Sequence, residues 1–238
     1  VTQTMVPVIF DLDGTLVDPA GGITGGIAAA LREFGLPVPE QPVLDSMVGP
    51  KLSDSLEHIA GVPAGRVDEV IGRYRSYYRS VGIAQSRLYP GIRELLEFFA
   101  ESRRPVAVAT QKPQGLARVV LAHHGIADFF ASICGASDDE SRAANIAPGK
   151  VEIVGAALAT LHSQPAVMVG DRHQDVAGAM ANGLDCIGVS WGFAPDGELQ
   201  EAGAVAVVDS TAQLLKKIEE LDAVRAAALS EVQNDGSL

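Results

Sequence analysis

Cysteine is scarce in this chain, at two residues among 238, and aromatic residues reach only 5%, with a single tryptophan. Cys134 and Cys186 lie far apart, with no Cys-x-x-Cys spacing and no adjoining histidine pattern, which excludes a disulfide framework and a thiolate metal centre. Each sits in a strand-like apolar run, so both are expected as buried free thiols. Positive charge is short too: 18 Lys and Arg face 30 Asp and Glu, for a formal net charge of −12. Such a surface repels a phosphate backbone, which excludes a general nucleic-acid binder and confines any attraction for an anionic ligand to a local patch. No apolar run approaches the length of a bilayer span, and Val1-Thr2-Gln3-Thr4-Met5 lacks the basic segment and apolar stretch of a secretory signal. A cytoplasmic protein with no membrane partner is expected. No internal repeat or low-complexity tract is present, and the oligomeric state is not legible.

What is present fits a soluble globular enzyme: 47% hydrophobic and 20% charged residues, in a length that can bury a large core without staples. Short apolar runs recur at Val6 to Phe10, Val106 to Ala109, Ala131 to Gly135, Ala166 to Val169, Cys186 to Val189 and Val205 to Val208, and these read as buried parallel strands. Helical patterns lie between them: Leu116, Val119 and Val120 ending at Gly125, then Val151, Val154, Leu158 and Leu161, then Leu214, Leu215, Ile218 and Leu221. Alternating strand and helix give a doubly wound, mostly parallel α/β sheet, a Rossmann-like core.

The stretch between the first two strands is too long for a crossover, and its periodicity is helical. Ile23, Ile27, Leu31 and Phe34 form one apolar face closed by Gly35; Val67, Val70, Ile71, Tyr74, Tyr78 and Val81 form another. The chain is therefore expected to divide into a core of residues 1–18 and 90–238 and a small α-helical cap of residues 19–89. Pro90-Gly91 restarts the core with a helix carrying Ile92, Leu95, Leu96 and Phe99, and the polar tail from Ser230 to Leu238 is expected to fray.

The chemistry-bearing residues sit at strand ends, where ligands bind in such sheets. Asp11-Leu12-Asp13-Gly14-Thr15 follows the first strand and sets two carboxylates one residue apart; Gly14 lets the chain turn, so the two can be aimed at different atoms of one substrate. One can serve as a covalent nucleophile while its neighbour moves a proton. Thr110-Gln111-Lys112 follows Val106 to Ala109, Lys150 opens an amphipathic run after Pro148-Gly149, and Gly170-Asp171-x-x-x-Asp175 follows Ala166 to Val169. Taken singly, Thr110 could cap a helix, Lys150 could be a solvated charge, and Asp171 with Asp175 could decorate a helix N-terminus.

In this order, each at a strand end or helix start, the four motifs resemble the haloacid dehalogenase superfamily, and within it the capped phosphatases that include phosphoglycolate phosphatase and bacterial 5′-nucleotidase-like members. The resemblance covers Val6 to Leu221. It implies that Asp11 attacks phosphorus and that Asp13 is first the acid to the leaving oxygen and then the base for water. It also implies that Thr110 and Lys150 stabilise the phosphoryl group, and that Asp11, Asp13, Asp171 and Asp175 hold Mg²⁺ through hard oxygen ligands. Leu12, Gln111 and Lys112 are the expected phosphate contacts, with Gln111 a departure from the Asn or Ser frequent at its position. His173, inside the fourth motif, is not expected as a metal ligand, and His123-His124 reads as a helix end.

Substrate choice is expected in the cap, at Gly49-Pro50-Lys51-Leu52, where Lys51 is placed either to pair with a second charged group of the substrate or to stand on the surface. Arg75, Tyr78 and Arg79 are weaker candidates, and Trp191 either stacks on a base or packs. The expected function is Mg²⁺-dependent hydrolysis of a small phosphomonoester through an aspartyl-phosphate. A phosphosugar mutase of the same superfamily is the alternative, and a non-catalytic binding or regulatory protein is the alternative of another class.

Overall fold

A computed structural model describes residues 5–138, 149–161 and 166–235. Residues 1–4 of the amino-terminal segment, Pro148, His162 and residues 236–238 lie outside the described residues. Among those described, no helix is long and apolar enough to cross a membrane.

The chain runs through β1 (Val8–Phe10), β2 (Val17–Asp18), α1 (Gly22–Glu33), α2 (Gln41–Ser46), α3 (Leu52–Asp54), α4 (Val67–Tyr77), α5 (Ile83–Gln85) and β3 (Arg87–Leu88). It continues through α6 (Ile92–Glu101), β4 (Val106–Pro113), α7 (Gln114–His123), β5 (Ser132–Ala136), α8 (Lys150–Thr160), β6 (Val167–Gly170), α9 (His173–Ala181), β7 (Asp185–Val189), α10 (Glu198–Ala202), β8 (Ala206–Val208) and α11 (Thr211–Asp235). Six strands form one parallel sheet in the order β5-β4-β1-β6-β7-β8. The strand order reverses at β1: β4 and β5 lie on one side of it, β6 to β8 on the other. The ends of β1, β4 and β6 therefore open into one crevice, which receives Asp11, Thr110 and Asp171.

The strands are buried on both faces, which is why they read as unbroken apolar runs rather than alternating ones. Val8, Phe10, Val106, Val108, Val167 and Val169 pack on one face, and Ile9, Ala107, Ala109 and Met168 on the other. A buried ion pair ties down the far end of the sheet. Arg104 donates to Asp222 at 2.6 Å and to the Val6 carbonyl at 2.7 Å, while Asp222 accepts from the Val6 N–H at 2.8 Å, so a buried ion pair docks α11.

The helical stretch leaves the core at β2 and returns at β3, and these two short strands pair antiparallel, Val17 opposite Leu88 and Asp18 opposite Arg87. Within this insert α1 packs on α4, burying Ile23, Ile27 and Leu31 against Val67, Val70, Ile71 and Tyr74. One expected face is corrected. Two turns of π-helix, Ser55–Ile59 and Tyr78–Gly82, interrupt the α-helical register. The extra residue in the second turn rotates the helix beyond it, so Val81 is only half-buried and Ile83 takes its place in the core. At this point Gly82 and Gly22 meet backbone to backbone; a Cβ on Gly22 would lie 2.6 Å from the Gly82 carbonyl oxygen.

Two core helices are also phased differently from expectation. Val119 and Val151 are exposed, at 52% and 40%, because the buried stripe of each helix is phased away from them. Leu116, Ala117, Val120 and Leu121 make the buried face of α7, and Ile153, Val154, Ala157 and Leu158 that of α8. Cys134 is half-buried rather than buried, and Cys186 is buried as expected. The last helix continues to Asp235, past the Ser230 at which fraying was expected.

Candidate active site

Asp11 leaves the end of β1 with its N–H donated to the Val169 carbonyl at 2.9 Å, which locks the loop to β6. Gly14, at φ +90°, then turns the chain back; a side chain there would be strained and its Cβ would fall 2.1 Å from the Asp171 carboxylate. Glycine thus serves both the turn and the approach of the two acidic loops.

Lys150, the first residue of α8, reaches under the sheet end with its ammonium donating to Asp11 at 2.5 Å and to the Ala109 carbonyl at 2.7 Å, and it pairs with Asp175 at 2.6 Å. Carboxylate oxygens of Asp11, Asp171 and Asp175 all lie within 4.8 Å of one another, and all three residues are buried. Burial pushes the Asp11 carboxyl up to about 7 even though Lys150 pulls the other way. It also raises Asp171 well above the usual carboxylate range, with Asp11 and Asp175 adding repulsion. Burial alone would lower the Lys150 pKa, but Asp11 and Asp175 together hold it above its ordinary value. Lys150 therefore pairs with two of the three buried carboxylates, Asp11 and Asp175, while Asp171 has the Arg172 charge as its cationic neighbour.

The two oxygens of Asp171 are held separately. Thr15 donates its hydroxyl to Oδ1 at 3.2 Å and the Phe193 N–H donates to Oδ2 at 2.8 Å. Asp175 accepts the Arg172 N–H at 3.0 Å, which closes the loop between the two aspartates.

Asp13 faces a cleft lined by Asp11, Thr110, Gln111 and Lys112 from the core and by Val48, Gly49, Pro50, Lys51, Tyr74 and Arg75 from the insert. Lys112 donates to Asp13 Oδ2, and its ammonium sits 4.7 Å from the centre of the Tyr78 ring. Asp13 Oδ1 and the Tyr78 hydroxyl are buried and have no hydrogen-bond partner among the described residues. Thr110 lies within β4, not at a helix cap, and its Oγ1 accepts the Lys112 N–H at 3.2 Å.

Most of the residues singled out by the sequence thus converge on one place. Asp11, Asp13, Thr110, Gln111, Lys112 and Lys51 line the cleft, while Lys150, Asp171 and Asp175 lie beneath Asp11. The Leu12 side chain is fully buried in the apolar core, so only its main chain is placed to face the cleft. Trp191 packs, against Tyr89 at 6.2 Å between ring centres, with its indole N–H donated to the Thr15 carbonyl at 3.1 Å. Tyr78 is buried in the insert, Arg79 is exposed, and His173 pairs with Glu198 rather than with the aspartates. Thr15, Arg172 and Glu198 escaped sequence reasoning as supports of the acidic loop, although Thr15 and Arg172 lie inside motifs already marked.

A buried carboxylate backed by a lysine thus lies in a switch-point crevice of a Rossmann-like α/β core, roofed by a helical insert. The model of haloacid dehalogenase-like hydrolases matches residues 8–189, and the chain belongs to that family. The chain is 42% identical over 189 residues to the tyrosine-protein kinase PtkA of Mycobacterium tuberculosis, covering 78% of this chain but 62% of that protein, so it spans less than two thirds of that relative. It is 35% identical over 195 residues to a 5′-nucleotidase of Pseudomonas aeruginosa, covering 81% and 86% of the two chains. A crystal structure of a predicted phosphatase from Clostridium acetobutylicum superposes with a TM-score of 0.82 at 35% identity, over 91% of this chain and 99% of that one.

Proposed function

We propose that the chain is a Mg²⁺-dependent phosphatase that hydrolyses a small phosphomonoester, phosphoglycolate- or nucleotide-like, through an aspartyl-phosphate on Asp11. The observation that carries this reading is the placement of Asp11: its carboxylate opens to the cleft on one side and rests on Lys150, within 4.8 Å of Asp171 and Asp175, on the other. Three oxygen donors short of positive charge suit a hard divalent cation. Mg²⁺ would be held by Asp11 and Asp171, with the Asp13 main-chain carbonyl, and by Asp175 directly or through water. Bound there it would offset the repulsion between an anionic nucleophile and an anionic phosphate.

The side chains divide the remaining work. An Asp11 oxygen forms a bond to phosphorus as the bond from phosphorus to the leaving oxygen breaks. Asp13 delivers a proton to that oxygen from Oδ1, the atom that Lys112 leaves free. In the second half Asp13 takes a proton from water as the water oxygen attacks phosphorus, releasing phosphate and restoring Asp11. The Thr110 hydroxyl, already accepting from the Lys112 N–H, has its own proton to give to a phosphoryl oxygen. Residues 1–18 and 90–238 act as the catalytic core, and residues 19–89 as a cap that excludes water and contacts the leaving group through Lys51.

Phosphate release from a panel of phosphoglycolate, nucleoside monophosphates and hexose phosphates, with Mg²⁺ or EDTA, tests this. Selective, Mg²⁺-dependent release that falls by about a thousandfold or more in Asp11→Asn is expected; release that survives the substitution would overturn the mechanism. The likeness to a tyrosine-protein kinase favours one further reading, in which a protein hydroxyl replaces water as acceptor. Labelled phosphate moving to a tyrosine peptide, with little free phosphate, would mark it, whereas an isomerised sugar phosphate would mark a mutase. A chain that binds phosphomonoesters without turning over any of them would be a binding protein.

A further inference from the structure

Arg172 follows Asp171 directly, and its guanidinium pairs with Glu198. The side chain is buried, and its groups engage three separate parts of the molecule. Nη1 donates to the Val48 carbonyl of the insert at 2.8 Å, Nε donates to Glu198 Oε1 at the start of α10 at 2.9 Å, and the main-chain N–H is the one that fixes Asp175. Glu198 Oε1 also accepts the His173 N–H at 2.9 Å, so the residue that aims the guanidinium also anchors the first turn of α9.

The insert's side of this contact is shaped for it. Gly49 adopts φ +103°, a conformation that side chains rarely take, and a Cβ there would approach Arg172 Cγ to 3.2 Å. The segment that receives the arginine is also the one that roofs the cleft, since Val48, Gly49, Pro50 and Lys51 all line it. One bond therefore joins the roof to the loop carrying two of the three clustered aspartates.

We propose that Arg172 is a latch and positioning residue: its fork, aimed by Glu198, holds the Val48–Gly49 turn of the insert over the cleft and ties closure to the geometry of the Asp171–Asp175 loop. Opening the insert breaks the Nη1 bond while the pair with Glu198 persists, so the loop keeps its latch cocked between turnovers. A charge-assisted bond of this kind, shielded from water, shifts the closed-to-open ratio by about tenfold or more.

Hydrogen–deuterium exchange on the full chain reads the latch directly, and phosphate release reads its consequence, which rests on the proposed phosphatase activity. In Arg172→Ala, amides of residues 41–54 should exchange about tenfold faster and kcat/KM should fall by about tenfold or more. Arg172→Lys keeps a charge beside Glu198 but lacks the planar fork, so exchange in 41–54 should remain fast. Arg172→Gln serves in the same way if the alanine variant does not fold. Unchanged exchange in 41–54 across these variants, or full rescue by lysine, would overturn the latch and leave Arg172 as a support of the acidic loop alone. If the wild-type chain releases no phosphate from any substrate, the activity reading fails while the exchange comparison still decides the latch.

Discussion

The floor and the roof of the cleft solve opposite problems. The floor gathers three buried carboxylates around one ammonium and fixes them with main-chain and short side-chain donors, namely the Phe193 and Arg172 N–H groups and the Thr15 hydroxyl. The roof is built of aromatic and apolar packing, with Tyr74 stacked on Tyr78 at 5.7 Å and two π-turns, and it presents Lys51 and Arg75 on long side chains. A preorganised floor suits chemistry that is the same for every phosphomonoester. A roof that reaches with long side chains can vary at Lys51 and Arg75 while its bond from Val48 to Arg172 keeps it tied to the floor.

Three perturbations sharpen that contrast. The largest effect should come from removing the floor's cation. Lys150→Ala leaves Asp11 and Asp175 buried without the ammonium that pairs with both and should lower stability by about 3–5 kcal/mol, measured by urea unfolding; a loss under about 1 kcal/mol would mean that the cluster is far wetter than its burial indicates.

Next comes pH. Asp11 is raised from 3.8 to about 7 and Asp171 is raised as well. A carboxyl whose folded pKa lies above its unfolded one binds more protons when folded, so stability is full below about pH 4 and is lost as pH rises through about 7. In EDTA the chain should therefore lose on the order of 2–4 kcal/mol between these limits through this site. Mg²⁺ should cancel most of that loss, because it binds the folded ionised cluster alone. A metal-free stability that is flat or rises over this window would contradict the electrostatic picture of the floor.

The smallest effect belongs to the roof. Lys51→Ala should raise KM about tenfold for substrates with a second negative charge and leave kcat and singly charged substrates nearly unchanged. Equal losses on all substrates would move Lys51 from selection to the chemistry itself.

The same division explains what could be read from the sequence. Asp11, Thr110 and Asp171 were legible as candidate site residues because each sits at the end of an apolar strand, and parallel pairing of β1 with β4 and β6 brings such ends together whatever the intervening chain does. The floor's supports were not. Thr15 and Phe193 meet at Asp171 across separations of 156 and 22 residues, and Arg172 meets Val48 across 124, with nothing in the local pattern to announce it. In the roof, periodicity placed α1 correctly but failed past Tyr78, where a π-turn breaks the 3.6-residue count on which periodicity depends. Lys112 was legible as a site residue but not in its partner: its ammonium donates to Asp13 Oδ2.

The β2–β3 ribbon carries one more implication. The insert departs and re-enters through paired neighbours, Val17 beside Leu88 and Asp18 beside Arg87, so to the sheet its whole length is topologically a hairpin loop. It adds no crossover and sets no strand order. Its length, helix count and sequence can therefore drift without altering the strand order that brings the ends of β1, β4 and β6 together.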